Sequence, residues 1–303
     1  MSDILITGAG GMIGRALLRE LGEQAVATDV QPRADRAIEL LDVTSDDPDK
    51  VIGAHRPRVV VHLAAVMGPG VPRDVAYRVD VEGTRKVLAA CLAHGVQRLV
   101  VTSSGAAYGY HADNPVPLTE KCPLRGNPEF PYADHKRQVE EMLAEARRDH
   151  PALEQVVLRV GTVLGAGTDN QITALFHKPR LLAIRGSNSP FVFIWSRDLA
   201  RILARSTGEG PPGIYNVAGD GALSVDDIAR RLRKPVLRLP AGALRAALAV
   251  ARPLGLSRYG PEQVRFLQYR PVLDNTALKK RFGYRPELSS AQVFDLWMRE
   301  ARL

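Results

Sequence analysis

What this chain has little of narrows it first. Cys91 and Cys122 are its two cysteines in 303 residues, too few for a disulfide framework, so both read as reduced thiols. None of its seven histidines stands at metal-ligand spacing from another His, Cys or acid, and no metal is expected. No apolar run is long enough to span a bilayer. The most hydrophobic stretch, Ala241 to Leu256, carries Arg245 and Arg252 and reads as a core or lid helix rather than a membrane-surface helix. At the N-terminus there is no basic region followed by an apolar segment and cleavage site, because Ile4 to Ile6 already reads as a strand. A cytoplasmic protein without a membrane partner is expected.

Acid is scarce relative to base. Forty-one Lys and Arg against 33 Asp and Glu give a formal charge of +8. The basic clusters Arg230-Arg231, Arg233-Lys234 and Lys279-Lys280-Arg281 fall on amphipathic helical patterns beside Leu232 and Phe282, without interleaved aromatics. They read as solvated helix faces, not as a nucleic-acid surface. The excess suits drawing anionic ligands toward a cleft.

With repeats and low-complexity segments also missing, what remains is an ordinary globular pattern. A hydrophobic content of 45% over this length supports one large α/β domain and a smaller lobe. Short apolar strands alternate with amphipathic helices through about residue 165, the pattern of right-handed βαβ units in a doubly wound, Rossmann-type parallel sheet. We therefore assign residues 1–165 to that domain, with a returning segment near 191–218 that includes Ile214 to Ala218. Residues 166–303 are mainly a substrate lobe, punctuated by loops at 165–167, 185–190 and 208–213.

Thr7-Gly8-Ala9-Gly10-Gly11-Met12-Ile13-Gly14 follows the apolar Ile4-Leu5-Ile6 and leads into a helical pattern. Strand, glycine turn and helix in that order leave backbone N–H groups at a helix N-terminus, which suits the pyrophosphate of a dinucleotide. Gly8 permits the turn, Gly11 lets phosphate approach the backbone at Met12 and Ile13, and Gly14 lets helix pack on strand. Ala25 to Asp29 reads as a second strand ending in a carboxylate. An acid there accepts ribose hydroxyls and repels a 2′-phosphate, which favours NAD over NADP. Arg33 and Arg36 lie a few residues on, within reach of a 2′-phosphate, and temper that preference without reversing it.

Tyr132 and Lys136 stand four apart at the start of a helical pattern, on one face. An ammonium beside a phenol stabilises the phenolate and brings its proton within reach at neutral pH. Between these two features Leu99 to Thr102 forms an apolar strand that stops at Ser103-Ser104, the carboxyl end at which open α/β sheets bind ligands.

On these residues the chain resembles the short-chain dehydrogenase/reductase superfamily, in its extended, NAD-dependent epimerase/dehydratase form. The likeness takes in Val61-His62-Leu63-Ala64-Ala65, Asp42-Val43 at the adenine-contacting position, Val79 to Thr84, and Leu158 to Gly165 as the strand and loop over the nicotinamide. It implies that Tyr132 is the acid/base, Lys136 its ribose-binding partner, and Ser104 the hydroxyl on the reacting oxygen. The implied cofactor contacts also take in Leu63, Ala64, Ala65 and Thr102. It also implies a homodimer formed through helices near 77–93 and 132–148.

The departures are informative. Asp80 occupies an Asn position that orders the sheet and a proton relay in the family. His135 replaces a small residue of the Tyr-x-x-x-Lys helix and is expected to face away from that pair, structural or exposed. Gly105 and Ala106 stand where dehydratases of the family carry two acids, so elimination by that route is not expected. Phe191 takes the place of an Arg that grips the diphosphate of nucleotide sugars, leaving Arg185 or Arg270 to substitute. Ser104, Gly105, Ala106, Phe191 and Arg270 are the expected substrate contacts. Phe191, Phe193 and Trp195 either line an apolar pocket or pack in a core.

The expected activity is NAD-dependent hydride transfer at the secondary alcohol or ketone of a small-molecule substrate. The alternatives are a nucleotide-sugar epimerase with tightly held NAD and a non-catalytic NAD-binding scaffold.

Overall fold

The structure, a computed structural model, describes residues 3–22, 24–31, 37–66, 70–168, 170–257 and 259–303. Its frame is seven parallel strands: β1 (Ile4–Thr7), β2 (Ala25–Asp29), β3 (Glu39–Leu40), β4 (Val59–His62), β5 (Arg98–Ser104), β6 (Glu154–Val160) and, after three strands of the lobe, β10 (Gly213–Val217). Between β6 and β10 come β7 (Thr162–Leu164), β8 (Leu181–Ile184) and β9 (Phe193–Trp195), and β11 (Val236–Leu239) follows. The central order is β10-β6-β5-β4-β1-β2-β3. The chain winds outward from β1 in one direction and from β4 in the other. Thr7 pairs with His62 at the carboxyl ends of these two strands, which is the switch-point crevice where such sheets take ligands.

The strands are β-rich in Val, Leu and Ile because both faces are covered. All residues of β1 and β4 are buried, as expected of a central parallel strand. Alternation decides which face each meets. Ile4 and Ile6 join Leu17 and Leu18 of α1 (Met12–Leu21) and Leu199, Ile202 and Leu203 of α7 (Ser196–Ser206). Leu5, Val60 and Leu99 join the other side, formed by Ile52 of α2 (Asp47–His55), Val87, Leu88 and Cys91 of α4 (Gly83–Ala93), and Val139 and Leu143 of α5 (Pro131–Asp149). The short α3 (Arg73–Tyr77) runs through a wide turn, Arg78–Glu82, into α4.

In the lobe β8 pairs with β11, and β7 with β9. An aromatic core gathers Phe176 of α6 (Gln171–His177), Phe193 of β9, Ile228 and Leu232 of α8 (Val225–Leu232), and Phe294 and Trp297 of α11 (Ser290–Glu300). Phe193 is fully buried there, and Phe191 stacks on it with ring centroids 5.7 Å apart. The core alternative thus holds for this pair.

Two placements differ from expectation. Leu278 and Phe282, far along the chain, pack into the same core as Ile6 and Tyr215, so the C-terminal segment is not lobe alone. The apolar helix α9 (Ala241–Ala251) has no buried residue. It is not a core element; it packs against α10 (Gln263–Gln268), which leaves the lid alternative.

Candidate active site

The glycine turn is shaped by close approaches. Gly8 has φ +71°, and a Cβ there would stand 2.7 Å from the Ala64 nitrogen. A Cβ on Gly14 would stand 2.5 Å from the Gly8 carbonyl oxygen and 2.6 Å from Ala9 Cα. Both neighbours are backbone, so neither position tolerates a side chain without moving strand or helix. Gly11, by contrast, is exposed and would meet only the Gly8 oxygen at 3.3 Å. It is the N-cap of α1, with no side-chain cap and no acid in the first turn. That leaves the positive end of the helix, at Met12 and Ile13, facing outward.

Carboxylates and loops surround this turn. Asp29 accepts the Gly10 N–H at 2.9 Å and the Gln31 N–H at 3.1 Å, one on each oxygen. Arg33 and Arg36 lie outside the described residues. Asp42 Oδ1 accepts from the Thr44 N–H and hydroxyl, both at 2.8 Å, and Val43 is buried against Gly83, whose Cβ would be 2.7 Å from Val43 Cγ2. Leu63 and Ala64 donate to the Thr7 carbonyl and hydroxyl at 3.1 and 3.4 Å, while Ala65 follows, half-buried. From the far side, Thr168 places its hydroxyl 3.3 Å from Met12 Sδ. The loop after β7 therefore reaches the glycine turn.

At the carboxyl end of β5, Ser104 caps the short turn Gly105–Tyr108, its oxygen accepting the Ala106 N–H at 3.1 Å. Gly105 and Ala106 are buried, and a Cβ on Gly105 would touch Leu273 at 3.1 Å. Helix α5 starts at Pro131, where the fixed φ of proline costs nothing. Tyr132 and Lys136 then share its inner face. Lys136 is 7% exposed; its Nζ donates to the Thr102 carbonyl at 3.0 Å and lies 5.9 Å from the Tyr132 ring centroid. A charge buried this deeply on a single carbonyl is costly unless it is used.

Behind the pair lies a second buried cluster. His62 accepts on Nδ1 from Thr7 at 2.7 Å and donates from Nε2 to Thr84 at 3.0 Å, because the Thr84 proton is given to the Asp80 carbonyl at 2.6 Å. Burial, reinforced by the Lys136 charge, pushes its pKa down to about 3. Asp80 accepts the Val66 N–H at 2.8 Å, and its other oxygen lies 3.2 Å from His135 Nδ1. His135 is 1% exposed, packs edge-on to Tyr77, and leaves Nε2 without a partner among the described residues. It does not reach the surface as one expected alternative had it. The two departures from the family pattern have met each other.

Arg270, one of the expected substrate contacts, is also buried. Its guanidinium carbon lies 3.8 Å from the Phe191 centroid and 4.8 Å from that of Phe266, and Nη1 donates to the Ser189 carbonyl at 2.7 Å. Among the described residues Nε has no partner and no carboxylate pairs with the side chain. Burial pulls its pKa down to about 9, the Tyr110 phenol acting the other way. Arg185, the other candidate, is exposed. Tyr110 packs edge-on against Phe130 and Phe266; burial pushes its phenol pKa up, and the Arg270 charge opposes that rise. It directly follows the Gly105–Gly109 stretch, but a single aromatic there carries no sequence signal for this. Arg270 also lines a cleft of about 240 Å³ bounded by His111, Asn114, Ser189 and Tyr269. Among the described residues no group of three or more His, Cys, Asp or Glu is placed to hold a metal.

Fold and site together are those of a Rossmann-type enzyme class, with a glycine turn after the first strand, a carboxylate at the end of the second and a Tyr/Lys pair on α5. Residues 4–218 match the model of the NAD dependent epimerase/dehydratase family, and the chain belongs to that family of NAD-dependent enzymes. Among curated proteins it is similar to an uncharacterized protein of Mycobacterium tuberculosis, 24% identical over 98% of this chain and 83% of that one. A UDP-glucose 4-epimerase of Azospirillum brasilense is 34% identical, over 54% of this chain and 49% of the other. Solved structures that share the fold include the UDP-glucose 4-epimerase of Thermotoga maritima with UDP-glucose, at TM-score 0.77, 19% identity and coverage of 99% and 98%. The Thermus thermophilus UDP-glucose 4-epimerase complexed with NAD has TM-score 0.74, 22% identity and the same coverage.

Proposed function

We propose that this chain is an NAD-dependent oxidoreductase acting at a secondary alcohol or ketone carbon of a small substrate that carries an anionic group. The observation that carries the reading is the Lys136 ammonium, buried on the Thr102 carbonyl beside the Tyr132 ring and one strand end from Ser104. The residues fit a dinucleotide: α1 offers an uncapped N-terminus behind Gly11, and Asp29 holds a carboxylate at the turn.

Bound NAD would supply the hydride acceptor or donor. The chain's part is positioning and proton transfer. Tyr132 takes the hydroxyl proton on oxidation and returns it on reduction. Lys136 places positive charge where the phenolate develops and holds the ribose. Ser104 donates to the reacting oxygen, and Arg270 grips the anionic group from the far side of Tyr110.

The test is turnover. Tyr132→Phe is expected to bind NADH as the native protein does while losing turnover by at least about 10²-fold. Unchanged turnover would overturn the assignment and favour a scaffold.

A second reading, a nucleotide-sugar epimerase, is favoured by the Arg270 guanidinium, which has no carboxylate partner among the described residues and suits a phosphate. An epimerase recycles its hydride and is expected to keep NAD through purification; a dehydrogenase or reductase is expected to exchange it. Mass spectrometry of the freshly purified protein separates the two.

A further inference from the structure

The positive charge of this protein is not spread over it. From Ile228 to Pro261 there are eight Lys and Arg and no acid; removing those eight from the 41 basic residues leaves 33, equal to the number of Asp and Glu. The whole formal excess therefore sits in one segment. Arg258 lies outside the described residues, but the rest forms the last turns of α8, whose Ile228 and Leu232 are in the core, then β11, α9 and the turns beside them on the lobe surface.

The same segment carries exposed apolar side chains. Leu244, Leu248 and Ala251 of α9 are half-buried and mark its inward side. Helical spacing then turns Ala246, Ala249 and Val250 outward, with Arg245 and Arg252, seven apart, along one edge. Val250 is 63% exposed, Leu254 in the following turn 65%, Leu256 79%, and Leu237 on the neighbouring strand 42%. Arg230, Arg231 and Arg238 are neutralised by Asp227, Asp295 and Asp226. Arg252 touches Glu262 only at 3.4 Å, and among the described residues Arg233 and Arg245 have no carboxylate partner. Solvent-exposed aliphatic groups beside Arg233 and Arg245, which lack a carboxylate partner among the described residues, and Arg252, which has a long one, mark an interaction surface rather than a solvated face.

We infer that this face docks on an anionic lipid bilayer, with Val250, Leu254 and Leu256 entering the headgroup boundary and Arg233, Arg245 and Arg252 meeting lipid phosphates. Charge decides the occupant. A second copy of the chain, placed on this face about a two-fold axis, brings like charges together. Single-stranded nucleic acid needs aromatic stacking platforms, and the exposed groups here are aliphatic. An anionic bilayer satisfies both halves of the surface at once. Docking has a consequence for the site, because α9 rests on α10 and α10 carries Phe266, the ring stacked on Arg270. The substrate cleft then opens one helix away from the lipid headgroups.

The experiment is flotation of the full-length protein with phosphatidylcholine vesicles, with and without phosphatidylglycerol. The native protein is expected to float with the anionic vesicles only, and to be released by salt. Each arginine removed is expected to weaken partitioning about fivefold, so Arg245→Gln/Arg252→Gln loses about twenty-five-fold. Leu254→Glu/Leu256→Glu is expected to stop flotation. Both variants leave the glycine turn and the Tyr/Lys pair untouched, so unchanged NADH binding serves as the fold control. Native protein that stays with neither vesicle overturns the inference. So does flotation that both variants retain, or retention on single-stranded RNA without vesicle binding.

Discussion

Arg270 shows most directly how a residue here is held against its own stability. A guanidinium stacked between Phe191 and Phe266, with one donor unpaired among the described residues and its pKa pulled down to about 9 by burial, has given up water without gaining a counter-ion among those residues. The Arg270→Met variant keeps much of the stacking volume and removes the charge. It is expected to unfold at a higher temperature than the native protein while its KM for an anionic substrate rises at least about tenfold. A lower melting temperature with unchanged KM would make the arginine merely structural. The pair behind the site runs the other way. Asp80→Ala strands His135 and the Val66 N–H together, at an expected cost of about 3 kcal/mol. Adding His135→Ala to it should cost little more, giving a coupling of about 1–3 kcal/mol in a urea double-mutant cycle. Additive losses would deny the pairing. His62 contributes a pH dependence. Its folded pKa, depressed to about 3, lies below its unfolded value, so its contribution is complete above about pH 6.5 and falls as the unfolded chain takes up a proton. Native protein is expected to lose about 2 kcal/mol more than His62→Gln between pH 7 and pH 5. Equal losses would show that His62 titrates normally.

At the scale of elements, the glycine turn and the Tyr/Lys helix were legible because each needs a residue type at a fixed spacing. Gly14 is the clearest: strand β1 and helix α1 meet so closely that a Cβ lands 2.5 Å from one backbone oxygen and 2.6 Å from a Cα. Gly14→Ala is expected to lower NADH affinity at least about tenfold and to destabilise the fold, whereas Gly11→Ala, whose methyl would meet only the Gly8 oxygen at 3.3 Å, is expected to impair cofactor binding with less loss of stability. Equal effects on stability at the two positions would show that the turn is not packed as described. What sequence left open was long-range. The partner of Asp80 is 55 residues away, and each looked anomalous alone. Phe191 and Phe193 alternate in a way that fits a pocket wall or a core, and only the position of Phe176 and Phe294 against them decides for the core. Helix α9 misled for a related reason. Apolar composition predicts burial only if another element arrives to cover it, and here just one face is met.

Over the whole molecule, the sheet domain and the lobe are joined by more than the crevice between them. The family model ends at residue 218, yet the core on that side of the sheet is completed by Leu278 and Phe282, which pack with Ile6, Leu203 and Tyr215. Asn275 donates to the Ala218 carbonyl at 2.8 Å, and Arg205 to the Phe282 carbonyl at 3.2 Å. The chain thus leaves the sheet after β10, builds the lobe, and returns to close the first core before α11 goes back to the second. Neither core is finished by a contiguous stretch of chain, so neither is expected to melt alone. Calorimetry is expected to show one transition whose calorimetric and van't Hoff enthalpies agree. NAD at a hundredfold its Kd should move that single peak upward, a stabilisation of about 2.7 kcal/mol. Two separate peaks, with only the later one moved by NAD, would show that the lobe unfolds as an independent unit and that the returning segment is dispensable to the sheet.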